Sequence, residues 1–326
     1  MLRFITRCAA ALLIAGTASA ADTADNFPSK PITIIVGVAP GGTLDTLARL
    51  IGNELGKVLK QTVVVENTAG AGGLIGMQRL LKSDPDGHTL MFSNMSLAII
   101  PLLHPKAGVD VVRDLQTIGT VGTVPMVLSV SNKSGIQDLP GMLERMRGGG
   151  HKLNFGSGGP GTTAHLAEGM FLHIAKVPGE LIQYRGSGPA LADLMAGTID
   201  SVIDQTVTMM PLHQDKRIKA IAVSAPARLP QMPDVPTFAE GGLPEFDLAI
   251  WNGVVGPKGM PKPVVDKLAR ALSEAVDSPD FKGRLQDLAA RAPAPEERGP
   301  EPFAKLLAQD VKRVADIAAQ VGLMPR

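Results

Sequence analysis

The stretch Pro31-Ile-Thr-Ile-Ile-Val-Gly-Val-Ala-Pro-Gly-Gly-Thr-Leu-Asp-Thr-Leu-Ala-Arg-Leu-Ile51 decides the fold. Its first part, residues 32–38, is an apolar run of strand length, as expected of a strand buried on both faces. Ala39-Pro40-Gly41-Gly42 breaks it. Beyond the break Leu44, Leu47, Ala48, Ile51 and Leu55 recur at helical spacing. The alternation continues with a strand over 62–66, a glycine-rich turn over 69–73, and a helix through Leu80-Leu81. The turn Pro85-Asp86-Gly87 and a strand over 89–92 follow. Strands and helices alternating through short turns predict a parallel sheet with right-handed crossovers.

The second half repeats the layout without repeating the sequence. A strand over 153–155 leads into Gly156-Ser-Gly-Gly-Pro-Gly161 and a helix over 162–175. Then come a strand (181–184), a helix (188–196) and two strands (199–203 and 218–223). Two such runs predict an α/β protein of two lobes, each a mainly parallel sheet flanked by helices, with a cleft between them. Residues 124–130 and 246–255 read as the crossings. Three helices, 264–276, 281–292 and 302–321, are expected to return to the first lobe. Residues 27–124 and 249–326 would thus form lobe 1, with 125–248 inserted as lobe 2.

Composition narrows the function. Of 326 residues, 44% are hydrophobic, which suits a globular chain. One Trp and one Tyr offer no stacking platform for bases or sugars. Lys and Arg total 32 against 31 acids, so no basic field calls for nucleic acid. The N-terminus has Arg3 and Arg7, an apolar run over 8–15, and Ala18-Ser19-Ala20. This is the pattern of a secretory signal peptide over residues 1–20, cleaved near Ala20, and it implies a periplasmic protein. The run is too short for the roughly 20 residues that span a bilayer. Cys8, the single cysteine, leaves with it, so the mature chain has no disulfide, Cys nucleophile or thiolate metal site.

Catalytic patterns fail to assemble. Gly156-x-Gly158-x-x-Gly161 resembles a dinucleotide loop, but Pro160 interrupts it. The next strand ends in Tyr184-Arg185 rather than in a ribose-binding acid. No cofactor is expected. Ser157, His165 and Asp204 could suggest a hydrolase, yet Phe155 stands where a nucleophile elbow needs glycine. Asp200 and Asp204 lie about 13 Å apart along a strand, and His165 and His173 about 12 Å apart along a helix. Neither pair builds a paired-acid or metal site. A secreted α/β hydrolase using Ser157 and His165 remains the rival from another class.

Binding fares better. Two glycine-rich loops, 39–43 and 156–163, each precede a helix. Helix N-termini at the carboxyl ends of parallel strands present free N–H groups and a positive dipole end. Two facing each other would hold an anion without arginine. Ser157, Thr162 and Thr163 add hydroxyls, although either threonine could simply cap its helix. Asp45 likewise fits a first-turn acid complementing the dipole.

The order and spacing of Pro40-Gly-Gly-x-x-Asp45, Val63-Val-Val-Glu-Asn67, Gly70-Ala-Gly-Gly73, Pro85-Asp-Gly87, Gly156-Ser157 with His165-Leu166, Tyr184 with Pro189-Ala-Leu191, Asp200, and Gly242-Leu-Pro244 give the chain a family likeness. It resembles the substrate receptors of tripartite tricarboxylate transporters, the Bug family, over nearly its whole mature length. The resemblance implies a type II periplasmic binding protein fold that closes on a small carboxylate and hands it to membrane permease subunits, without catalysis. A ligand-sensing role would use the same pocket. Carried onto this sequence, the first-lobe loop is Ala39, Pro40, Gly41 and Gly42, and the third strand ends in Ser93 and Asn94. The carboxylate loop is Ser157 with Thr162 or Thr163, with His165 beside it. Asp204 on the inner wall could accept from a ligand or serve a buried structural role. Val38 and Leu74 depart from the family pattern and suggest a less polar first-lobe wall, hence a ligand with an apolar end.

Overall fold

The computed structural model describes residues 26–148 and 152–323; the expected signal segment, residues 1–20, lies outside them. The first half runs β1 (Ile32–Val36), α1 (Thr43–Leu59), β2 (Val63–Asn67), α2 (Leu74–Leu81), β3 (Thr89–Asn94), α3 (Ser96–Leu103) and α4 (Val111–Asp114). β4 (Leu115–Val130) and α5 (Leu139–Arg147) lead to β5 (Leu153–Ser157), α6 (Thr163–Ala175), β6 (Gly179–Gln183), α7 (Ser187–Ala196), β7 (Ser201–Gln205), α8 (Thr206–Gln214) and β8 (Lys219–Val223). β9 (Ala249–Pro257), α9 (Lys262–Asp277), α10 (Pro279–Asp287) and α11 (Pro300–Gln320) complete the chain.

The strands form a curled mixed sheet in the order β2-β1-β3-β9-β4-β7-β5-β6, with β8 also on β4. β4 is its spine. From Leu115 to Pro125 it pairs antiparallel with β9, and from Met126 onward with β7 and β8. The change of partner falls beside Pro125, which has no N–H to give a ladder. Register shifts between Thr117 and Gly119 and between Thr120 and Gly122 let the β4–β9 ribbon coil. Polarity follows from this spine. β1, β2 and β3 run parallel to the first part of β4, while β5, β6 and β7 run antiparallel to its second part. Both parallel sets therefore aim their carboxyl ends at the junction where β4 changes partners.

The expected alternation is present, but α4, α5 and α8 stand where no helix was expected, and three further differences have a clear cause. The first crossing begins at Leu115, not 124, because β4 is buried along most of its length and shows no clean two-residue alternation. Helix α3 went unread because Ser96 to Ile100 are all buried and Pro101 sits inside it, leaving no amphipathic stripe. The helix expected over 281–292 stops at Asp287. Ala289 then takes a left-handed φ of 53°, and Thr123 and Arg291 exchange two backbone hydrogen bonds of 2.8 Å. What read as a third turn of helix is a strap pinned to β4.

The C-terminal helices pack back on the sheet, α9 against α1 and β4 and α11 against α3 and β4. α9 buries Val264, Val265, Leu268, Ala271, Leu272, Ala275 and Val276 as one stripe. On α11, Phe303 meets Trp251 edge-on at 5.0 Å and Asp310 accepts from the Trp251 indole N–H. Phe303 is fully buried, so its truncation to alanine costs about 3–5 kcal/mol.

Helix α6 is buried on nearly every side from Thr163 to Phe171. It nevertheless carries Glu168, with no exposed surface and both carboxyl oxygens outside hydrogen-bond geometry. Burial pushes the Glu168 carboxyl well above the usual range, and the Asp204 charge adds to it, outweighing the nearby Ile203 N–H. The folded protein therefore keeps a proton that the unfolded chain loses once pH rises above the ordinary glutamate range, about 4.3. Stability falls as pH climbs from there toward the folded pKa. Glu168→Gln should raise the thermal midpoint at pH 8 by a few degrees, about 2–4 °C for each ~1 kcal/mol recovered. The gap to wild type should close near pH 4, and a gap independent of pH would contradict the reading.

Candidate functional site

Six parallel strands end at the junction, and each hands the chain to a helix. The N-termini of those six helices line one cavity. α1 contributes Gly42, Thr43 and Leu44, and α2 is approached through Gly72 and Gly73. α3 brings Asn94 and Ser96, α6 brings Thr162, Thr163 and Ala164, α7 brings Gly186 and Ser187, and α8 brings Gln205 with the preceding Asp204. Val38 and Met91 supply apolar surface. No Lys, Arg or His is among the lining residues. Each terminus carries roughly half a positive charge, so the positive contribution at the cavity comes from backbone, and Asp204 is the one ionisable side chain lining it. No described group of His, Cys, Asp and Glu is arranged to hold a metal.

The cavity is small because the lobes are closed on each other. About 30 Å³ is open to the centre of a water-sized sphere. Backbone meets backbone across the cleft. Ala39 N–H donates to the Arg185 carbonyl at 3.0 Å. Gly188 lies so near the Pro40 carbonyl that a Cβ there would stand 2.4 Å from its oxygen. At Gly72 (φ 64°) a Cβ would stand 1.7 Å from the Pro160 oxygen. Thr43 and Thr208 hydroxyls sit 3.4 Å apart across the same seam.

These contacts sort the residues singled out in the sequence. Gly42, Ser93, Asn94, Thr162, Thr163 and Asp204 line the cavity. Ala39, Pro40 and Gly41 form its rim, where the lobes touch. Asp45 fastens that rim: its carboxylate accepts from Gly41 N–H at 3.1 Å and from Arg49 at 2.8 Å. Burial works against its charge, but these partners win and hold the Asp45 carboxyl below the usual range.

Ser157 and His165 stand behind the wall rather than in it. Ser157 is fully buried, its hydroxyl donating to Gln183 at 3.0 Å and accepting from Gly159 N–H at 3.1 Å. His165 gives its backbone N–H to the Thr162 hydroxyl, and its Nδ1 is buried without a partner. Burial lowers the His165 pKa, favouring the neutral ring. The two do not form a nucleophile–base pair. The Thr162 hydroxyl is itself committed, capping His165 N–H and donating to the Gly159 carbonyl at 2.7 Å. What α6 offers a ligand is therefore its free first-turn N–H groups near Thr163 and Ala164. Leu74 is packed in the core with Ile35 and Met77, not in the cavity, which removes one of the two supports for a ligand with an apolar end.

Asp204 is 2% exposed. It accepts from the Gln205 backbone N–H at 2.8 Å and the Thr208 hydroxyl at 3.3 Å. Burial pushes its carboxyl up, opposed by Ser187 and those two donors. Ser96, Ser187 and Gln205 were missed by sequence reading. Each lies within two residues of a strand-to-helix turn, a signal that would have found them had every such turn been weighed rather than only the glycine-rich ones.

No described helix is long and apolar enough to cross a membrane. The chain matches the tripartite tricarboxylate transporter family receptor model over residues 47–323. It is 36% identical, over 304 residues covering 93% of this chain and 90% of the relative, to a UPF0065 protein from the tcbD–tcbE intergenic region of Pseudomonas sp. strain P51. The periplasmic binding protein BugD superposes with a TM-score of 0.88 at 30% identity, over 92% of this chain and all of that one. MatC of Rhodopseudomonas palustris, solved with bound malate, gives 0.85 at 34% identity, over 89% of this chain and 99% of its own. With helix N-termini around a closed cleft and these likenesses along its length, the chain belongs to the tripartite tricarboxylate transporter receptor family, among the Bug-type periplasmic binding proteins.

Proposed function

We propose that this protein is a periplasmic receptor that captures a small organic carboxylate by lobe closure and delivers it to a tripartite tricarboxylate-type membrane transporter. The observation that carries the reading is the convergence of six helix N-termini on a cavity without a cationic side chain. Such a site favours an anion through fixed donors that need no reorganisation. MatC's bound malate supports a carboxylate as that anion. Export through a signal peptide over residues 1–20 fits the periplasmic setting. The moving bodies are residues 27–124 with 249–326, and residues 125–248, hinged where β4 and β9 cross. Asp204 would accept from a hydroxyl, an amine or a bridging water on the ligand.

The deciding experiment is thermal unfolding of the mature protein against mono-, di- and tricarboxylates, amino acids and aromatic acids. A carboxylate at about 100 times its Kd should stabilise the protein by roughly 2.7 kcal/mol, a shift of several degrees. Shifts produced only by uncharged compounds would overturn the proposal. Closure has its own test. Gly72→Ala puts a methyl group where the Pro160 carbonyl sits in the closed state, so calorimetry should show affinity falling tenfold or more. Scattering with saturating carboxylate should show an open, folded protein. Unchanged affinity would mean that the closed contact is not the binding state.

A further inference from the structure

The floor of the cavity holds an arrangement of two carboxamides that the carboxylate-binding termini do not explain. Gln205, the last residue of β7, lines the cavity and is 1% exposed. Asn252, on β9 directly beneath, has no exposed surface. Asn252 Nδ2 donates to Gln205 Oε1 at 2.9 Å and to the Ile250 carbonyl at 3.2 Å. The second bond fixes the first. A backbone carbonyl only accepts, so it holds the NH₂ of Asn252 on that side. That NH₂ in turn demands the oxygen of Gln205. Gln205 is left with its Nε2 as the free half, and no described residue accepts from it. Its acceptor is consumed below and its two N–H donors remain for whatever enters the cavity.

Asn252 is poorly explained as a stabilising residue. Its Oδ1 is buried without a partner, and an orphaned buried acceptor works against folding. Its register points to the site instead: it pairs with Asn94 across β3–β9. Asn94 Oδ1 is taken by Ser96 N–H at 2.9 Å, and its Nδ2 has no acceptor among the described residues. Each lobe thus places one carboxamide on the cavity with its oxygen occupied and its nitrogen unbound.

We propose that Gln205 reads the far end of the ligand, donating from Nε2 to an oxygen of a second carboxylate. Asn252 is the positioning residue that locks its amide in the donating orientation. The proposal rests on the carboxylate-capture reading and adds the residues by which the site would tell a dicarboxylate from a monocarboxylate. The first carboxylate sits at the helix termini and is common to mono- and diacids. The second is the one that distinguishes them.

The test is calorimetry on two matched pairs, malate against 2-hydroxybutyrate and adipate against hexanoate, in which a methyl group replaces one carboxylate. In at least one pair the wild-type protein should bind the diacid ten times or more as tightly as the monoacid. Gln205→Met keeps the side-chain length and removes the donor. It should weaken the diacid by about 10- to 100-fold, the range for a hydrogen bond to a charged group, and leave the monoacid within about threefold. Asn252→Leu should lower the diacid-to-monoacid ratio in the wild-type background but not in the Gln205→Met background. A general folding defect moves both acids together and leaves that ratio alone, and Gln205→Met tests the assignment by itself should Asn252→Leu not fold. Equal losses for both members of a pair under Gln205→Met, or equal wild-type affinity within both pairs, would overturn it. A wild-type protein that binds none of the four acids would strike the capture reading itself, and this assignment with it.

Discussion

Everything at the cleft depends on the antiparallel ribbon of β4 and β9. β4 runs sixteen residues without a break and belongs to both halves of the sheet. Because β1 to β3 are parallel to its first part and β5 to β7 antiparallel to its second, both sets must point toward the place where it changes partners. Strand polarity then puts six helix N-termini around one small volume, with no further instruction from side chains. A break in the ribbon would free the two parallel units to face in unrelated directions. The strap after α10, bonded to Thr123 on β4, and the Trp251–Asp310 bond of β9 to α11 hold the ribbon from outside.

Building the site from backbone has an electrostatic consequence. A guanidinium or ammonium lowered into a closing cleft loses its hydration, and the attraction to a ligand must first offset that loss. Helix termini carry their partial charges in place whether the cleft is wet or dry. The same choice explains the glycines. At Gly72 and Gly188 the opposing backbone comes nearer than a Cβ allows, so closure demands glycine there for steric reasons as much as for its freedom of φ. The acidic side chains near the site also do structural work: Asp45 ties down the rim, and Asp204 ties the start of α8 through Gln205 and Thr208.

The fold was legible from residues 31–51 and their later counterpart because local physics wrote it there. An apolar run of strand length, a glycine break and an amphipathic helix such as α1 each report on their own neighbours in the chain. Two of the elements that escaped, in whole or in part, lacked that contrast. α3 is buried nearly all round, and β4 has no polar face to alternate with. Of the site, Gly42, Ser93, Asn94, Thr162, Thr163 and Asp204 were picked out in the sequence and line the cavity, because they lie at strand ends or helix starts.

What the sequence could not carry was the meeting of distant backbones. Ser157 and His165 sit beside a cavity-lining loop in the chain, yet their side chains are committed behind the wall. Gln205 has no motif, and its role at the cavity floor depends on Asn252, 47 positions away. By itself the sequence determined the alternation of strands and helices, the glycine loops and the family, since those are properties of neighbouring residues and their order. Only the tertiary structure decided which of six helix starts share a cavity, which hydroxyls are already bonded, and which way a buried amide faces. Each of these is set by a partner that chain order does not name.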